Sequence, residues 1–125
     1  MIHLDTSFLI RGLVRDSPED QLLREWLRAG ETLAISTIAW AEFLGGPVEG
    51  PHLELVSGVV TRRPPFAEED AALAAKLFNE SGRRRGSLGD CMIAATALRS
   101  GAPLATSNPS DFHHFAPAGL RLRGS

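Results

Sequence analysis

The sequence predicts an α/β fold with helices on both faces of a central, mainly parallel sheet, and three observations carry that prediction. Short apolar runs at residues 2–5, 32–36 and 104–105 are too brief for helices and are bounded by polar or turn residues. Between them lie stretches with helical spacing and recognisable caps, and strands alternating with helices pair in parallel through crossovers. The chain of 125 residues, 43% hydrophobic and 22% charged, suits a single domain over residues 1–125 with its own core, and argues against disorder or coiled coil.

Each element has a local reason. Residues 2–5 form a strand that passes straight into a helix with the apolar face Phe8, Leu9, Leu13 and Val14. Ser17-Pro18-Glu19-Asp20 starts a second helix with a serine cap, proline at the first helical position and acids in the first turn; it carries Leu22, Leu23, Trp26 and Leu27 and stops at Gly30. Residues 32–36 form the next strand, and Ser36 or Thr37 caps a helix carrying Ile38, Ala41 and Leu44 up to Gly45-Gly46-Pro47. Residues 52–57 make a short helix, Val59-Val60 a short strand, and Pro64-Pro65 a break. Residues 67–81 form a helix on Leu73, Leu77 and Phe78 that ends at Gly82, and Ser87 opens another running through Leu98 to Gly101. Leu104-Ala105 is a strand, and the tail, with Leu120 and Leu122 alternating with Arg121 and Arg123, is an edge strand.

Three acids stand where an apolar stretch ends or is interrupted. Asp5 follows Ile2-His3-Leu4, Glu42 breaks the run from Ile38 to Leu44, and Asp90 opens Cys91-Met92-Ile93-Ala94-Ala95. Carboxylates are seldom buried unless paired or bound to a metal, so three in such settings point to one shared cation site. Ligands of parallel sheets sit beyond the carboxyl ends of the strands. Asp5 is at one such end and residues 106–111 follow another, while Glu42 and Asp90 are expected near the starts of their helices, leaning toward the same crevice. Hard oxygen donors suit Mg²⁺ or Mn²⁺, and the adjacent His113-His114 lacks the spacing for zinc. Purely structural readings stand beside these: Asp5 as a helix cap, Ser87-Leu88-Gly89-Asp90 as a capping box, Glu42 as a solvated helix residue, Thr106 as a strand end, and Asn108 and Asp111 as turn and loop residues.

The formal net charge of −2 is unlike that of a passive nucleic-acid binder, but carboxylates loaded with divalent cations present a different field to a phosphate. Lys76 is the only lysine. Arg83-Arg84-Arg85 follows a helix end, where cations either complement the dipole or meet phosphate. Cys91 is the single cysteine, which excludes an internal disulfide and any multi-cysteine cluster. No window reaches transmembrane length and no basic leader precedes Asp5, so a cytoplasmic protein without membrane contact is expected.

The segments His3-Leu4-Asp5-Thr6-Ser7-Phe8-Leu9-Ile10, Ala41-Glu42-Phe43, Gly89-Asp90-Cys91-Met92-Ile93-Ala94-Ala95-Thr96-Ala97 and Thr106-Ser107-Asn108-Pro109-Ser110-Asp111-Phe112, in this order and spacing, resemble a PIN domain. Length and first segment are similar to the VapC-type toxins of prokaryotic toxin–antitoxin pairs. The resemblance spans residue 2 to about residue 123. It implies a PIN-like three-layer α/β/α sandwich that holds Mg²⁺ or Mn²⁺ and hydrolyses RNA by metal-activated water. By position, Asp5, Glu42 and Asp90 match the family's catalytic, metal-binding acids and Ser7 a supporting residue. Many relatives carry an aspartate where this chain has Asn108; an acid follows at Asp111, so the fourth ligand is either, with Thr106 supporting the loop. The resemblance further implies an RNA substrate, a cognate antitoxin whose basic or aromatic tail covers the crevice, and a homodimer that forms a higher assembly with the antitoxin.

Other classes fit less well. A receiver domain needs a second acid beside the first and a lysine on a late strand, a haloacid-dehalogenase-like phosphatase needs an acid where Ser7 stands, and no phosphate-binding Gly-x-x-x-x-Gly-Lys loop is present. The rival from a different class is a PIN scaffold that has lost catalysis and binds RNA or a protein, a reading supported by Asn108.

Overall fold

The computed structural model describes residues 1–83 and 87–124. Strands β1 (Ile2–Leu4), β2 (Leu33–Ile35), β3 (Val60–Arg62), β4 (Leu104–Ala105) and β5 (Leu122–Arg123) lie in the order β3-β2-β1-β4-β5, and every neighbouring pair is parallel. Helices α1 (Thr6–Gly12), α2 (Pro18–Arg28), α3 (Thr37–Leu44), α4 (Gly50–Val59), α5 (Glu68–Glu80) and α6 (Leu88–Arg99) cover both faces, giving a three-layer α/β/α sandwich. Both β1 and β2 are buried at every position, which is why β2 reads as an unbroken apolar run and why His3 of β1 is buried with its neighbours. The tail strand β5 is at a sheet edge, as its alternating pattern predicts.

Polar caps sit directly at strand ends. Asp5 ends β1 and caps α1 through Phe8 N, and Ser36 ends β2 and caps α3 through Ala39 N. Both therefore lie on the rim at the carboxyl end of the sheet. Ser17 caps α2 as its sequence predicts, accepting from Asp20 N at 3.0 Å with Pro18 following. Ser87 precedes α6 but makes no side-chain cap bond, so the capping-box reading of Ser87 and Asp90 does not hold.

Three expectations are corrected. Helix α1 ends at Gly12, and Val14, expected on its core face, is exposed. In α3 the core face is Ala39 and Phe43; Ile38 is half-buried and Ala41 and Leu44 face solvent. An eight-residue helix admits two overlapping apolar stripes, and contact with the rest of the core selects one. Helix α4 begins at Gly50 and β3 extends to Arg62, each longer than its apolar run. The segment after β4 folds as two 3₁₀ turns, Pro109–Asp111 and His113–Ala118, which bury Phe112 and Phe115.

The core contains Phe8 stacked on Trp26 at 5.5 Å, a pairing worth about 0.5–1.5 kcal/mol beyond its buried area. Cys91 is fully buried, while Trp40 lies at the core margin under the Arg63 guanidinium. Helices α5 and α6 are joined by an ion pair the sequence does not announce. Asp70, completely buried, accepts from Arg99 Nε at 2.5 Å and Nη2 at 3.1 Å and also caps Ala67 N. Burial pushes its carboxyl pKa up, but the Arg99 and Ala67 bonds and the Arg99 charge outweigh this and leave it lowered. In the central strand, burial lowers the His3 pKa to about 4, so its ring is neutral at neutral pH. Among the described residues no helix is long and apolar enough to cross a membrane.

Candidate metal centre

Asp5 sits at the turn from β1 into α1, almost completely buried. Its Oδ1 accepts from Phe8 N and Ser7 Oγ, both at 2.8 Å, and its Oδ2 accepts from Thr106 Oγ1 at 2.5 Å. Burial raises its pKa; the bonds from Thr106, Phe8 and Ser7 pull it down, the Glu42 charge pushes it up, and the net result is raised. Asp5 is therefore both a helix cap and a cleft acid. A carboxylate can serve in both ways because each oxygen has two lone pairs.

Glu42 stands in the last turn of α3, which corrects the expectation that it lies near the helix start. Helix α3 is only eight residues long, so its second half still reaches the rim. The Glu42 side chain is held by Thr6 Oγ1, which donates to Oε1 at 2.7 Å and also lies 3.2 Å from Ala39 O. Its Oε2 faces α6, where a Cβ added at Gly89 would stand 3.8 Å away. Asp90 follows in the first turn of α6, half-buried. Its pKa is raised to about 6, by burial first and then by the charges of Asp111, Glu42 and Asp5. Three carboxylates acting on a fourth show that these side chains share one field.

The loop after β4 supplies the remaining side. Thr106 Oγ1 accepts from Asn108 N at 3.0 Å, and Asp111 N donates to Asn108 O at 3.0 Å, closing the first 3₁₀ turn. That turn directs Asn108 and Asp111 to the same cleft of about 160 Å³, which Asp5, Glu42 and Asp90 also line, with Thr6 and Ser7 at its edge. Larger depressions, of about 550, 420 and 180 Å³, lie elsewhere and hold no cluster of acids. The chemistry argues for the smaller one.

Oxygen donors of this kind fit a hard divalent cation such as Mg²⁺ or Mn²⁺, which keeps several waters and takes few direct carboxylates. Among the described residues no three His, Cys, Asp or Glu side chains are spaced to close on one ion. The electrostatic coupling at Asp90 and the common cleft give the opposite indication. The two are compatible, because a largely hydrated cation does not require three carboxylates in direct contact.

The predicted acids Asp5, Glu42, Asp90 and Asp111 are thus brought together, with Ser7, Thr106 and Asn108 beside them. Arg83 is not at the cleft: it adopts a left-handed conformation with its guanidinium over the Phe78 ring. Arg84 and Arg85 lie outside the described residues. Thr6 and Ser107 were not foreseen, although a hydroxyl directly after Asp5 and another directly after Thr106 are the signals that mark them. Glu19, which accepts from Ser107, left no signal beyond its place in a helix start.

The PIN domain family profile matches residues 2–116. The chain belongs to the PIN domain family. Similar solved structures include VapBC2 from Rickettsia felis bound to a promoter DNA fragment, at 22% identity over 98% of each chain with a TM-score of 0.76. A toxin–antitoxin complex from Klebsiella pneumoniae is 24% identical over 100% of this chain and 98% of the other, with a TM-score of 0.75. VapBC-1 from nontypeable Haemophilus influenzae is 24% identical over 98% and 97%, with a TM-score of 0.73. At these identities the likeness establishes a PIN fold over nearly the whole chain. No curated protein matches the chain by sequence.

Proposed function

We propose that this PIN-domain chain is a Mg²⁺- or Mn²⁺-dependent endoribonuclease and the toxin of a type II toxin–antitoxin pair, acting in the cytoplasm. The observation that carries the reading is the meeting of Asp5, Glu42, Asp90 and Asp111 from four separate segments in one cleft. A bound divalent cation supplies Lewis acidity there, activating water and neutralising charge on the phosphate. Asp5, Glu42, Asp90 and Asp111, which line the cleft together, are the residues that would hold the cation, directly or through its waters. Ser7 and Thr106 orient Asp5 by donating to its two oxygens, and Thr6 orients Glu42. Oδ1 of Asp5 accepts two hydrogen bonds and Oδ2 one, so the lone pair left on Oδ2 points in a restricted direction and little reorganisation is needed on binding.

The antitoxin partner is supported by similarity to solved toxin–antitoxin complexes. A basic or aromatic antitoxin tail entering the cleft meets four carboxylates of opposite charge. A homodimer that assembles further with the antitoxin belongs to the same reading. Asn108 favours a second reading, a catalytically degraded scaffold that binds RNA or protein, because an amide stands where many relatives place an acid.

Mn²⁺ titration of the purified chain separates the two. The nuclease reading expects saturable Mn²⁺ binding and RNA cleavage that Asp5→Asn lowers by a factor on the order of a hundred or more while the fold is retained. Cleavage by Asp5→Asn at the wild-type rate, with contaminating nuclease excluded, overturns it.

A further inference from the structure

Glu19 lies in the first turn of α2, yet its carboxylate is turned to the loop after β4. Oε2 accepts from Ser107 Oγ at 2.7 Å, and Oε1 is buried with no hydrogen-bond partner among the described residues. Ser107 N in turn donates to Ser7 Oγ at 3.2 Å, and Ser7 Oγ donates to Asp5 Oδ1 at 2.8 Å. The adjacent Thr106 donates to Asp5 Oδ2 and accepts from Asn108 N. The loop is thus tied to Asp5 through two neighbouring residues, and Glu19 braces one of those ties from outside the cleft.

A first-turn glutamate gains a contact with its helix dipole without being buried. Burying a carboxylate oxygen without a donor is costly, so the dipole alone does not account for this side chain. Among the described residues its one hydrogen bond is to Ser107. We propose that Glu19 is a positioning residue for the metal centre, fixing through Ser107 the loop that sets Thr106, Asn108 and Asp111 against Asp5. Without that acceptor the Ser107 side chain is free to rotate, and its backbone keeps only the longer 3.2 Å bond to Ser7. Asn108 is the next residue, so loosened geometry passes directly into the cleft. The inference rests on the metal-dependent reading above.

Two variants and two readouts test it. Glu19→Ala removes the acceptor, whereas Glu19→Gln keeps an oxygen for Ser107 while it removes the charge and puts an NH2 group in place of Oε1. In the metal-free protein, Glu19→Ala should speed amide hydrogen exchange at Ser107 and Asn108, and Glu19→Gln should not. In Mn²⁺ titrations, Glu19→Ala should weaken affinity about tenfold, the low end of what losing an outer partner of a ligand does, and Glu19→Gln should stay within about threefold of wild type. RNA cleavage should lose kcat with KM little changed, and only for Glu19→Ala. Equal losses in both variants would assign the effect to charge and overturn the proposal, as would unchanged exchange and affinity in Glu19→Ala. Absence of Mn²⁺ binding by the wild type would refute the metal centre itself, an outcome the metal-free exchange measurement distinguishes from failure of the Glu19 brace.

Discussion

Asp90 allows the repulsion within the cleft to be weighed. Its pKa moves from 3.8 to about 6 because burial, and then Asp111, Glu42 and Asp5, disfavour the ionised form. At about 1.4 kcal/mol per pH unit, that difference of about two amounts to about 3 kcal/mol against the folded, ionised state. The side chain is only half-buried, so solvent screening reduces the figure. Asparagine in the first turn of α6 also forgoes a charge–dipole contact of about 0.3–1 kcal/mol. Asp90→Asn is therefore expected to stabilise the metal-free protein by about 1–2 kcal/mol at neutral pH, on the order of 5 °C in Tm.

The sign follows from proton linkage. A folded-state pKa above the unfolded value means that the folded wild type binds the proton more tightly. That stabilisation is fully present below 3.8 and lost as pH rises through about 6. The advantage of Asp90→Asn should accordingly appear above about pH 6 and vanish near pH 4. Urea unfolding in EDTA at both ends of this range, followed by fluorescence of Trp26 stacked on Phe8, measures it. A variant no more stable than wild type at neutral pH, or an advantage unchanged at pH 4, would refute the account of a repulsive carboxylate cluster.

Three further outcomes are expected. Thr6→Val removes the hydroxyl that holds Glu42 while keeping side-chain volume; RNA cleavage should fall about tenfold, with unfolding free energy changed by about 1 kcal/mol or less in urea titrations. Asp111→Asn should weaken Mn²⁺ binding and cleavage more than Asn108→Ala, since a carboxylate is the better ligand for a hard cation; the reverse order in calorimetric titrations would make the amide the working group. Arg99→Ala leaves the fully buried Asp70 without its bidentate partner, and because Arg99 is itself partly exposed the loss should be about 2–3 kcal/mol in denaturant unfolding. As the Asp70 pKa is lowered, that deficit should be present at neutral pH and shrink as pH falls through the carboxylate range.

Much of the fold was legible because its signals are local. Ser17 and Pro18 start α2, Gly30 and Gly82 follow α2 and α5 with positive φ, and the short runs Ile2-His3-Leu4 and Leu33-Ala34-Ile35 are too brief for helices and need no partner to be read as strands. The α3 face was misread because its phase depends on what packs against it, and the 3₁₀ turns that bury Phe112 and Phe115 depend on the core they close. The cleft acids were legible for a different reason. A carboxylate at the end of a buried strand needs compensation, and Asp5 received three donors.

By itself the sequence determined the alternation of strand and helix, the acids at Asp5, Glu42 and Asp90, and an all-oxygen donor set, since these follow from residue type and near-neighbour spacing. Only the tertiary structure decided which hydroxyls hold those acids. Thr6 reaches Glu42 across 36 residues of sequence, and Glu19 reaches Ser107 across 88. It also turned Asn108 and Asp111 into the same cleft and left Arg83 outside it. A hydroxyl beside a rim residue marks Thr6 and Ser107 in the sequence but does not name their partners, because a hydrogen bond depends on distance and angle between side chains, and in a parallel sheet those are set by crossovers that bring remote strand ends to one rim.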